Sequence, residues 1–318
     1  MQEINIKMYK EIITTFTYNG LCNRLLNILS CYRLAKKTNR ICNIMYQGPS
    51  GRAELNFFGE HCSFNDIFQN IDNVTINGNT GENTRVYEFK YWDNKDHIID
   101  SQKSGNILIN YAVYVIIDKD DKSGIFTNLQ QTIKIPQEIP MDYVGNELRD
   151  LFINNFKPKP ELQYEIDRIY KTFKKNMIGL HIRSTEKAFE VYNWDDIIKN
   201  IEEQCKYFID KDPENNAIFL ATDNPKIHII MSAKLKNNLL FYEPPKFLCG
   251  ITSDDKFGND KYNVIVASIE LYLLGKCNKA VIGTTDSTFS MTALIISDPN
   301  TRKFLINDTN NIPSFIDL

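Results

Sequence analysis

The stretch IGLHIRSTEK, residues 178–187, joins a short apolar run to a cluster of polar and charged side chains. The apolar residues at 177–182 predict a buried strand. Ligands of open α/β sheets bind where strands end, and there a cation can neutralise a phosphate and a carboxylate can accept a proton. The side chains that could do this are His181, Arg183, Glu186, Lys187 and Glu190. A surface loop with mixed charges explains this segment alone equally well.

The length and composition indicate a globular protein of two domains. With 318 residues the chain exceeds one average domain, so two domains of about 150 residues are expected. Hydrophobic residues make up 42% of the chain and charged residues 24%, which is typical of a globular protein. The net charge of -3 argues against a general nucleic-acid binder, so any anion site must be local.

Neither a targeting signal nor a framework of paired cysteines is evident. The N-terminal residues contain no apolar core of signal-peptide length, and the chain has no uninterrupted apolar run of about 18 residues. The seven cysteines are odd in number and lack CxxC or Cys/His spacing. We therefore expect reduced thiols in a cytoplasmic protein without a transmembrane segment.

The N-terminal half begins with a predicted strand, glycine turn and helix. Residues 11–18 are rich in β-branched and aromatic types, which predicts a strand, and the Asn-Gly pair after them predicts a turn. Apolar residues at helical spacing then predict a helix over about 20–40. Asn23 and Arg24 lie in its first turn, where free backbone N–H groups and the helix dipole attract phosphate. An ordinary amphipathic helix start explains the same pattern.

Residues 41 to 150 predict a mixed α/β region, with strands at 41–46, 86–92 and 107–117. The last of these leads into Asp118 and Asp120, a D-x-D pattern with which many nucleotide-sugar enzymes hold a divalent metal. Charged loop tips of this kind are common, so our main prediction contains no metal site. Metal binding at Asp118 and Asp120 is the alternative.

Strands and helices alternate regularly in the C-terminal half. A proline-punctuated junction leads into an amphipathic helix, so we place the domain boundary there, giving domains 1–155 and 156–318. Strands are predicted at 177–182, 217–222, 239–243, 279–283 and 303–308. Repeated strand-helix-strand units of this length imply a doubly wound, mostly parallel sheet.

Polar residues follow the predicted strand ends and should meet at one edge of that sheet. The four groups are His181, Arg183 and Lys187 after the first strand, Asp223 and Asn224 after the second, the end of the third strand, which contains Phe241, and the residues from Thr284 to Thr288, with Asp286 and Ser287, after the fourth. The last group opens a helix, where hydroxyl and N–H groups suit a phosphate oxygen, although the same residues are ordinary helix caps. Glu270, on the preceding helix, is either a surface charge or a carboxylate turned towards a nucleobase.

Several segments together resemble the GDP-fucose-dependent fucosyltransferases of the α-1,6 type. This group includes the core fucosyltransferases and the rhizobial Nod-factor enzymes, and the protein O-fucosyltransferases are more distantly similar. The matching segments, in family order, are residues 20–40, 151–170, 178–187, 201–208 with 217–226, and 267–296. The first looks like the family's N-terminal glycine-loop helix. The combination is specific, whereas the His-x-Arg triplet alone is a weak signal.

The resemblance implies an α/β protein of the GT-B fold. In this fold two Rossmann-like, doubly wound domains face each other across a cleft, and the C-terminal one holds the donor. By position, Arg183 is similar to the family's arginine on the donor diphosphate, and His181 accompanies it. Lys187 looks like the lysine of that motif, and Glu190 falls within one residue of the family's catalytic glutamate.

Further positions match the family in part. Asp223 matches the family's Ala-Thr-Asp segment, and Glu270 lies where the family has a guanine-facing aspartate. Asp286 and Ser287 fall in the phosphate-contacting turn, but the family's Ser-Gln type pair is not reproduced there. Ser184 stands in place of the second arginine of the core enzymes.

The resemblance implies an inverting, metal-independent transfer of fucose from GDP-fucose to a glycan or other hydroxyl acceptor, with no cofactor. Arg183, Lys187 and the helix N-terminus near Ser287 would stabilise the departing diphosphate. Glu190, or else Glu186, would deprotonate the acceptor hydroxyl. Two alternatives stay open. One is a glycosyltransferase that uses another nucleotide sugar, either with or without a metal at the D-x-D pattern, and the other is a non-catalytic module that binds a nucleotide or glycan.

Overall fold

The computed structural model is an α/β protein built on two parallel sheets. It describes residues 11–16, 21–45, 62–78, 84–88, 98–99, 104–110, 116–117, 146–183, 194–243, 261–285, 287–306, 312–315 and 318. The chain divides into two compact units, the first comprising residues 1–57 and 70–121 and the second residues 58–69 and 122–318. The predicted domains, 1–155 and 156–318, place the boundary later in the chain and stay a prediction.

The first unit contains a five-stranded parallel sheet. Its elements are β1 (Ile12–Phe16), α1 (Leu21–Lys37), β2 (Ile41–Met45), β3 (Val74–Ile76), β4 (Arg85–Glu88) and β6 (Ile107–Asn110), and the short strands β5 (Ile98–Ile99) and β7 (Ile116–Ile117) pair separately. The strand order is β3-β2-β1-β6-β4. The predicted first strand and helix are confirmed. The run at 107–117, predicted as one strand, has its two ends in different sheets.

The second unit contains another five-stranded parallel sheet. Its elements are α2 (Phe64–Ile67), α3 (Asn146–Asn155), α4 (Pro160–Tyr170), β8 (Asn176–Ile182), α5 (Trp194–Lys211), β9 (Asn216–Thr222), α6 (Pro225–Leu235), β10 (Leu239–Leu240), α7 (Lys261–Gly275), β11 (Ala280–Thr284), α8 (Thr288–Ile296) and β12 (Arg302–Ile306). The strand order is β10-β9-β8-β11-β12. The predicted doubly wound sheet of the C-terminal half is confirmed.

The apolar run of β8 follows from burial on both of its faces. Ile178, Leu180 and Ile182 belong to the core that the strands share with α5 and α6. The alternate residues face the other way: a Cβ on Gly179 would lie 3.0 Å from Sγ of Cys277, just after α7. A parallel strand covered by helices on both sides is apolar along most of its length, which is why the sequence predicted this element correctly.

The order of the strands positions a ligand site in the second unit. From β8 the chain winds through β9 to β10 on one side and then returns to place β11 and β12 on the other side. The direction of winding reverses between β8 and β11. Ligands of open α/β sheets bind at the carboxyl ends of the strands beside such a reversal. Among the residues that the structure describes, no helix has the length and apolar character needed to cross a membrane.

Candidate functional site in the second unit

Arg183 lies at the reversal point of the second sheet. It follows β8 directly, and its backbone N–H donates a hydrogen bond to Oγ1 of Thr284, the last residue of β11, over 3.3 Å. This bond ties together the carboxyl ends of the two strands between which the winding reverses. The Arg183 side chain is exposed. An exposed guanidinium at this position is suited to bind the oxygens of a phosphate.

His181 lies on β8 and contacts helix α8. Its Nδ1 is 2.7 Å from Oγ of Ser290, and its ring packs on Phe289 with the ring centroids 4.6 Å apart. Burial, reinforced by the positive charge of Arg183, lowers the pKa of His181 to about 3. The imidazole is therefore neutral at physiological pH. Because Nδ1 is bound to Ser290, the predicted contact of His181 with a diphosphate could be made only by Nε2.

The pairing of His181 with Ser290 depends on a close approach of β11 and α8. A Cβ atom on Gly283 would lie 2.4 Å from Cβ of Ser290, which is shorter than real carbon contacts allow. Glycine at position 283 therefore lets the helix pack directly on the strand.

Helix α8 begins where the sequence predicted a phosphate-binding turn. Ser287 is the N-cap, fully buried, and its hydroxyl accepts a hydrogen bond from the Ser290 N–H over 3.3 Å. The hydroxyl thus acts within the helix cap, and Thr288, half-buried, is the first helical residue. At this N-terminal end of α8, the positive end of the helix dipole attracts an anion. The predicted phosphate contacts of Ser287 and Thr288 stay a prediction.

A cavity of about 290 Å³ lies at the carboxyl ends of β9 and β10. Its polar lining comes from Thr222 at the end of β9, from Asp223 and Asn224 after that strand, from His228 on α6, from Tyr242 and Glu243 after β10, and from Glu270 on α7. Thr222 pairs with Ile182 of β8 and donates its hydroxyl to the carbonyl of that residue over 2.8 Å. The two strands therefore end at paired residues and lie one strand spacing of about 4.8 Å apart. Arg183 follows β8 and Asp223 follows β9.

Glu270 is the carboxyl group that faces this cavity from α7. It is half-buried, and burial together with the negative charge of Asp223 raises its pKa to about 8. A free Glu270 is therefore mostly protonated at pH 7. A ligand that presents two N–H donors would favour the carboxylate instead, because each donor can bind one oxygen. Glu270 lines this cavity, and its predicted contact with a nucleobase stays a prediction.

Tyr242 connects the cavity wall to helix α4. Its hydroxyl donates to Oε2 of Glu165 over 3.4 Å, and the same oxygen accepts a hydrogen bond from Arg168 over 2.7 Å. Tyr242 and Glu165 are both buried. The pairing of Glu165 with two donors holds the tyrosine ring in place as part of the lining.

Asn23 and Arg24 lie in the first unit, in the first turn of α1. Asn23 is half-buried and Arg24 is buried. Burial lowers the pKa of Arg24 to about 10, so its guanidinium stays charged at neutral pH. Their predicted contact with the donor stays a prediction.

Several predicted residues lie outside the described part of the chain. They are Glu186, Lys187, Glu190, Asp286, Ser184 and the alternative metal pair Asp118 and Asp120. Within the described ranges, no group of three or more histidine, cysteine, aspartate or glutamate side chains is arranged to hold a metal ion.

Comparison with solved structures identifies the fold. The chain is similar to the NodZ α-1,6-fucosyltransferase of Bradyrhizobium, soaked with GDP-fucose, with a TM-score of 0.51, 18% identity, and coverage of 91% of this chain and 93% of that one. It is also similar to a variant of Arabidopsis thaliana FUT1 in complex with GDP, with a TM-score of 0.52, 11% identity, and coverage of 93% and 70%. A third similar structure is POFUT1 in complex with GDP, with a TM-score of 0.51, 11% identity, and coverage of 94% and 99%.

The chain has the α/β fold of these fucosyltransferase structures. The expected fold class is therefore confirmed. No protein-family model matches the chain, and no curated protein sequence matches it. At identities of 18% and below, the likeness concerns the fold, and the α-1,6 linkage belongs to the relatives.

Sequence reasoning missed one polar residue of the cavity lining, namely His228. One signal for His228 was present. It lies four residues after Asn224, so the two share a face of α6, and Asn224 caps that helix beside the predicted strand end. The end of the strand that contains Phe241 was among the predicted strand ends, and the structure places Phe241, Tyr242 and Glu243 in the lining.

Proposed function

We propose that this protein is a glycosyltransferase that transfers fucose from GDP-fucose to a hydroxyl group of a glycan or similar acceptor, with inversion and without a metal. The observation that supports this most is the position of the cavity carrying Glu270, one strand away from Arg183 at the reversal of the sheet. The cavity suits a nucleobase and the reversal point suits a diphosphate. Related folds have been solved with GDP or GDP-fucose, which agrees with this assignment.

Glu270 supports guanine as the base. Guanine presents two adjacent N–H donors, N1–H and the N2 amino group, and a carboxylate can accept both. Uracil has a single N–H donor, and cytosine and adenine place a donor next to an acceptor, so the other bases match a carboxylate less well. Asp223 and Glu243 add further negative charge to the lining, which also favours a donor edge.

The reaction itself requires charge stabilisation and one proton acceptor. The bond from C1 of fucose to the diphosphate oxygen breaks, GDP leaves with the electron pair, and the acceptor oxygen forms the new bond to C1 from the opposite face. Arg183, with the N-terminal end of α8, stabilises the charge on the departing diphosphate. Lys187 adds a second cation, and Glu190, or else Glu186, takes the proton of the acceptor hydroxyl.

Calorimetric titration with GDP, UDP, CDP and ADP tests the donor assignment. We expect GDP to bind and the other three nucleotides to bind more weakly by at least tenfold. Tighter binding of UDP or CDP would instead favour a glycosyltransferase with another nucleotide-sugar donor. The absence of binding by all four would contradict the proposal.

Release of GDP from GDP-fucose separates an enzyme from a binding module. We expect slow release without an acceptor and faster release with a suitable glycan, both unchanged by EDTA. Loss of activity in EDTA would contradict metal independence. Binding of GDP-fucose without any turnover would favour the non-catalytic alternative. NMR of the product anomer distinguishes inversion from retention.

A further inference from the structure

The peptide group between Ile182 and Arg183 is held from both sides by side-chain hydroxyls. Its carbonyl accepts a hydrogen bond from Oγ1 of Thr222 over 2.8 Å, and its N–H donates to Oγ1 of Thr284 over 3.3 Å. Thr222 ends β9 and Thr284 ends β11, the two strands that flank β8. Because the N–H and C=O of a planar peptide point in opposite directions, the two threonines together fix its orientation.

The Thr284 hydroxyl takes over where the backbone pairing of β8 with β11 ends. Paired residues of these strands extend to Leu180 and Ile282. Beyond them, the N–H of Arg183 needs another acceptor, and the buried hydroxyl of Thr284 provides it. The orientation of this peptide sets the direction in which the Arg183 side chain leaves the backbone.

The Thr222 hydroxyl also connects the end of β8 to the cavity. Besides donating to Ile182, it accepts a hydrogen bond from the N–H of Asn224 over 3.2 Å. Asp223 and Asn224 line the cavity, and Asn224 caps α6. One hydroxyl therefore fixes the position of Arg183 relative to the turn that forms part of the cavity wall.

We propose that Thr222 and Thr284 are positioning residues of the transfer reaction, which hold Arg183 where its guanidinium meets the donor diphosphate while the base occupies the cavity. The inference rests on the proposed function, because it requires Arg183 to stabilise the departing diphosphate. Such stabilisation depends on a charge that is already in place when the bond breaks. A displacement of about 1 Å is enough to lower a rate by a factor on the order of a hundred.

Thr284→Val tests this role, because it keeps the shape of the side chain and removes the hydroxyl. Release of GDP from GDP-fucose without an acceptor gives kcat and KM. We expect kcat about tenfold lower and KM changed by less than about threefold, because the charge on the diphosphate develops as the bond breaks. Thr284→Ser keeps the hydroxyl and should restore kcat to within about twofold of the wild type.

A double variant shows whether Thr284 acts through Arg183. Arg183→Ala alone should lower kcat by a factor on the order of a hundred. In that background Thr284→Val should have no further effect, because the group that it positions is gone. Calorimetry with GDP gives the same comparison where turnover of the double variant is below detection. A further loss of about tenfold in the double variant would mean that the two residues act independently and would overturn the inference.

Thr222→Val should lower kcat and also weaken GDP binding, each by about five- to tenfold, because it releases both the peptide and the turn at the cavity. Thr222→Ser should recover most of both losses. The matched control is Thr301→Val. Thr301 is a buried threonine that donates to the carbonyl of Cys277 over 3.2 Å, just before β12 at the opposite edge of the sheet. It should lose stability in urea without a change in kcat.

The outcomes distinguish this inference from the proposed function. If Thr284→Val does not fold, Thr284→Cys gives the same test, because a thiol is a weak acceptor. If the wild type turns over GDP-fucose and Arg183→Ala is impaired, but the folded valine variants keep the kcat of the wild type, the positioning role is wrong and the proposed function stands. If Arg183→Ala has the kcat of the wild type, the inference also fails. If the wild type neither binds GDP nor releases it from GDP-fucose, the proposed function itself fails, and this inference with it.

Discussion

The second unit contains two polar regions at the same edge of one sheet, and they differ in how their buried groups are paired. The first is the seam of β8, β11 and α8, defined by His181, Gly283 and Ser290, where the imidazole is bonded to the serine hydroxyl. The second is the cavity at the ends of β9 and β10, where Glu270 has a raised pKa and Nε2 of His228 has no partner among the described residues.

The difference separates structural from ligand-binding polar groups. A polar group that is buried with its partner has already compensated its lost hydration, so it stabilises the fold. A polar group that is buried without a hydrogen-bond partner has lost its hydration free energy without compensation. The same is true of a carboxyl group whose pKa is raised by burial. A bound ligand can provide the missing compensation. The seam therefore stabilises the end of β8, which Arg183 follows, and the cavity is the region of this edge that we propose for the base of the donor.

The largest effect is expected for Arg183→Ala, which tests the role of the guanidinium next to the seam. The exposed guanidinium makes no described side-chain contact, so the variant should fold normally while transfer falls by a factor on the order of a hundred, about 3 kcal/mol of barrier. The matched control is Lys206→Ala, which removes an exposed cation from α5. Rates of fucose transfer and urea unfolding curves measure both effects. An Arg183→Ala protein with wild-type rates would remove Arg183 from the mechanism.

The cavity predicts a dependence of donor affinity on pH. In the proposed function the carboxylate of Glu270 binds guanine, and the pKa of this group in the free protein is about 8. Binding must therefore displace a proton below pH 8, so affinity rises with pH from 6 to 8, by up to about tenfold per pH unit, and then levels off. The other titratable lining groups are Asp223, His228, Tyr242 and Glu243. GDP-fucose is the suitable ligand, because its doubly esterified diphosphate does not titrate in this range.

Glu270→Gln isolates the contribution of that carboxyl group. The amide cannot ionise, so affinity for GDP-fucose should be low and much less dependent on pH between 6 and 8. A variant that keeps the full pH dependence of the wild type would assign the titration to another lining group.

Packing of the seam is tested by Gly283→Ala. The added Cβ would overlap Ser290, so we expect a loss of about 2 kcal/mol in the free energy of unfolding. The double variant Gly283→Ala with Ser290→Gly removes the overlapping Cβ and should recover part of that loss. Urea denaturation measures both proteins. Equal stability of Gly283→Ala and the wild type would mean that the helix can shift without cost.

The smallest effect is expected for Ser290→Ala. It leaves Nδ1 of His181 without its partner, which should reduce the free energy of unfolding by about 1 kcal/mol and change the ¹⁵N chemical shifts of the imidazole. Ser268→Ala is the matched control, because this buried serine donates to Val264 within its own helix. If the imidazole shifts are the same in Ser290→Ala and the wild type, the two side chains are not bonded in solution.

Much of the fold could be predicted from local patterns. Helix α1, the alternation of strands and helices after residue 176, and the capping of α6 and α8 all follow from apolar spacing and from residues such as Asn224 and Ser287. The run at 107–117 could not be divided correctly, because apolar character does not reveal that one end pairs with β1 and the other with β5.

The site was predictable only where it follows a strand directly. Arg183 and Asp223 qualify because strand ends are visible in the sequence and parallel strands bring them to one edge. His228 was missed because its position in a cavity wall depends on α7, which is distant in the chain.

The sequence by itself determined the parallel sheet of the second unit and the charged side chains at its carboxyl edge, because both follow from the spacing of apolar residues along the chain. Only the tertiary structure decided which polar groups acquired partners. His181 and Ser290 are 109 residues apart, and Glu270 and Asp223 come from different elements, so their burial and pairing are consequences of packing. The hydration that a polar group loses on burial depends on all its neighbours in space, and many of these are distant in the sequence, so a local sequence pattern does not predict it.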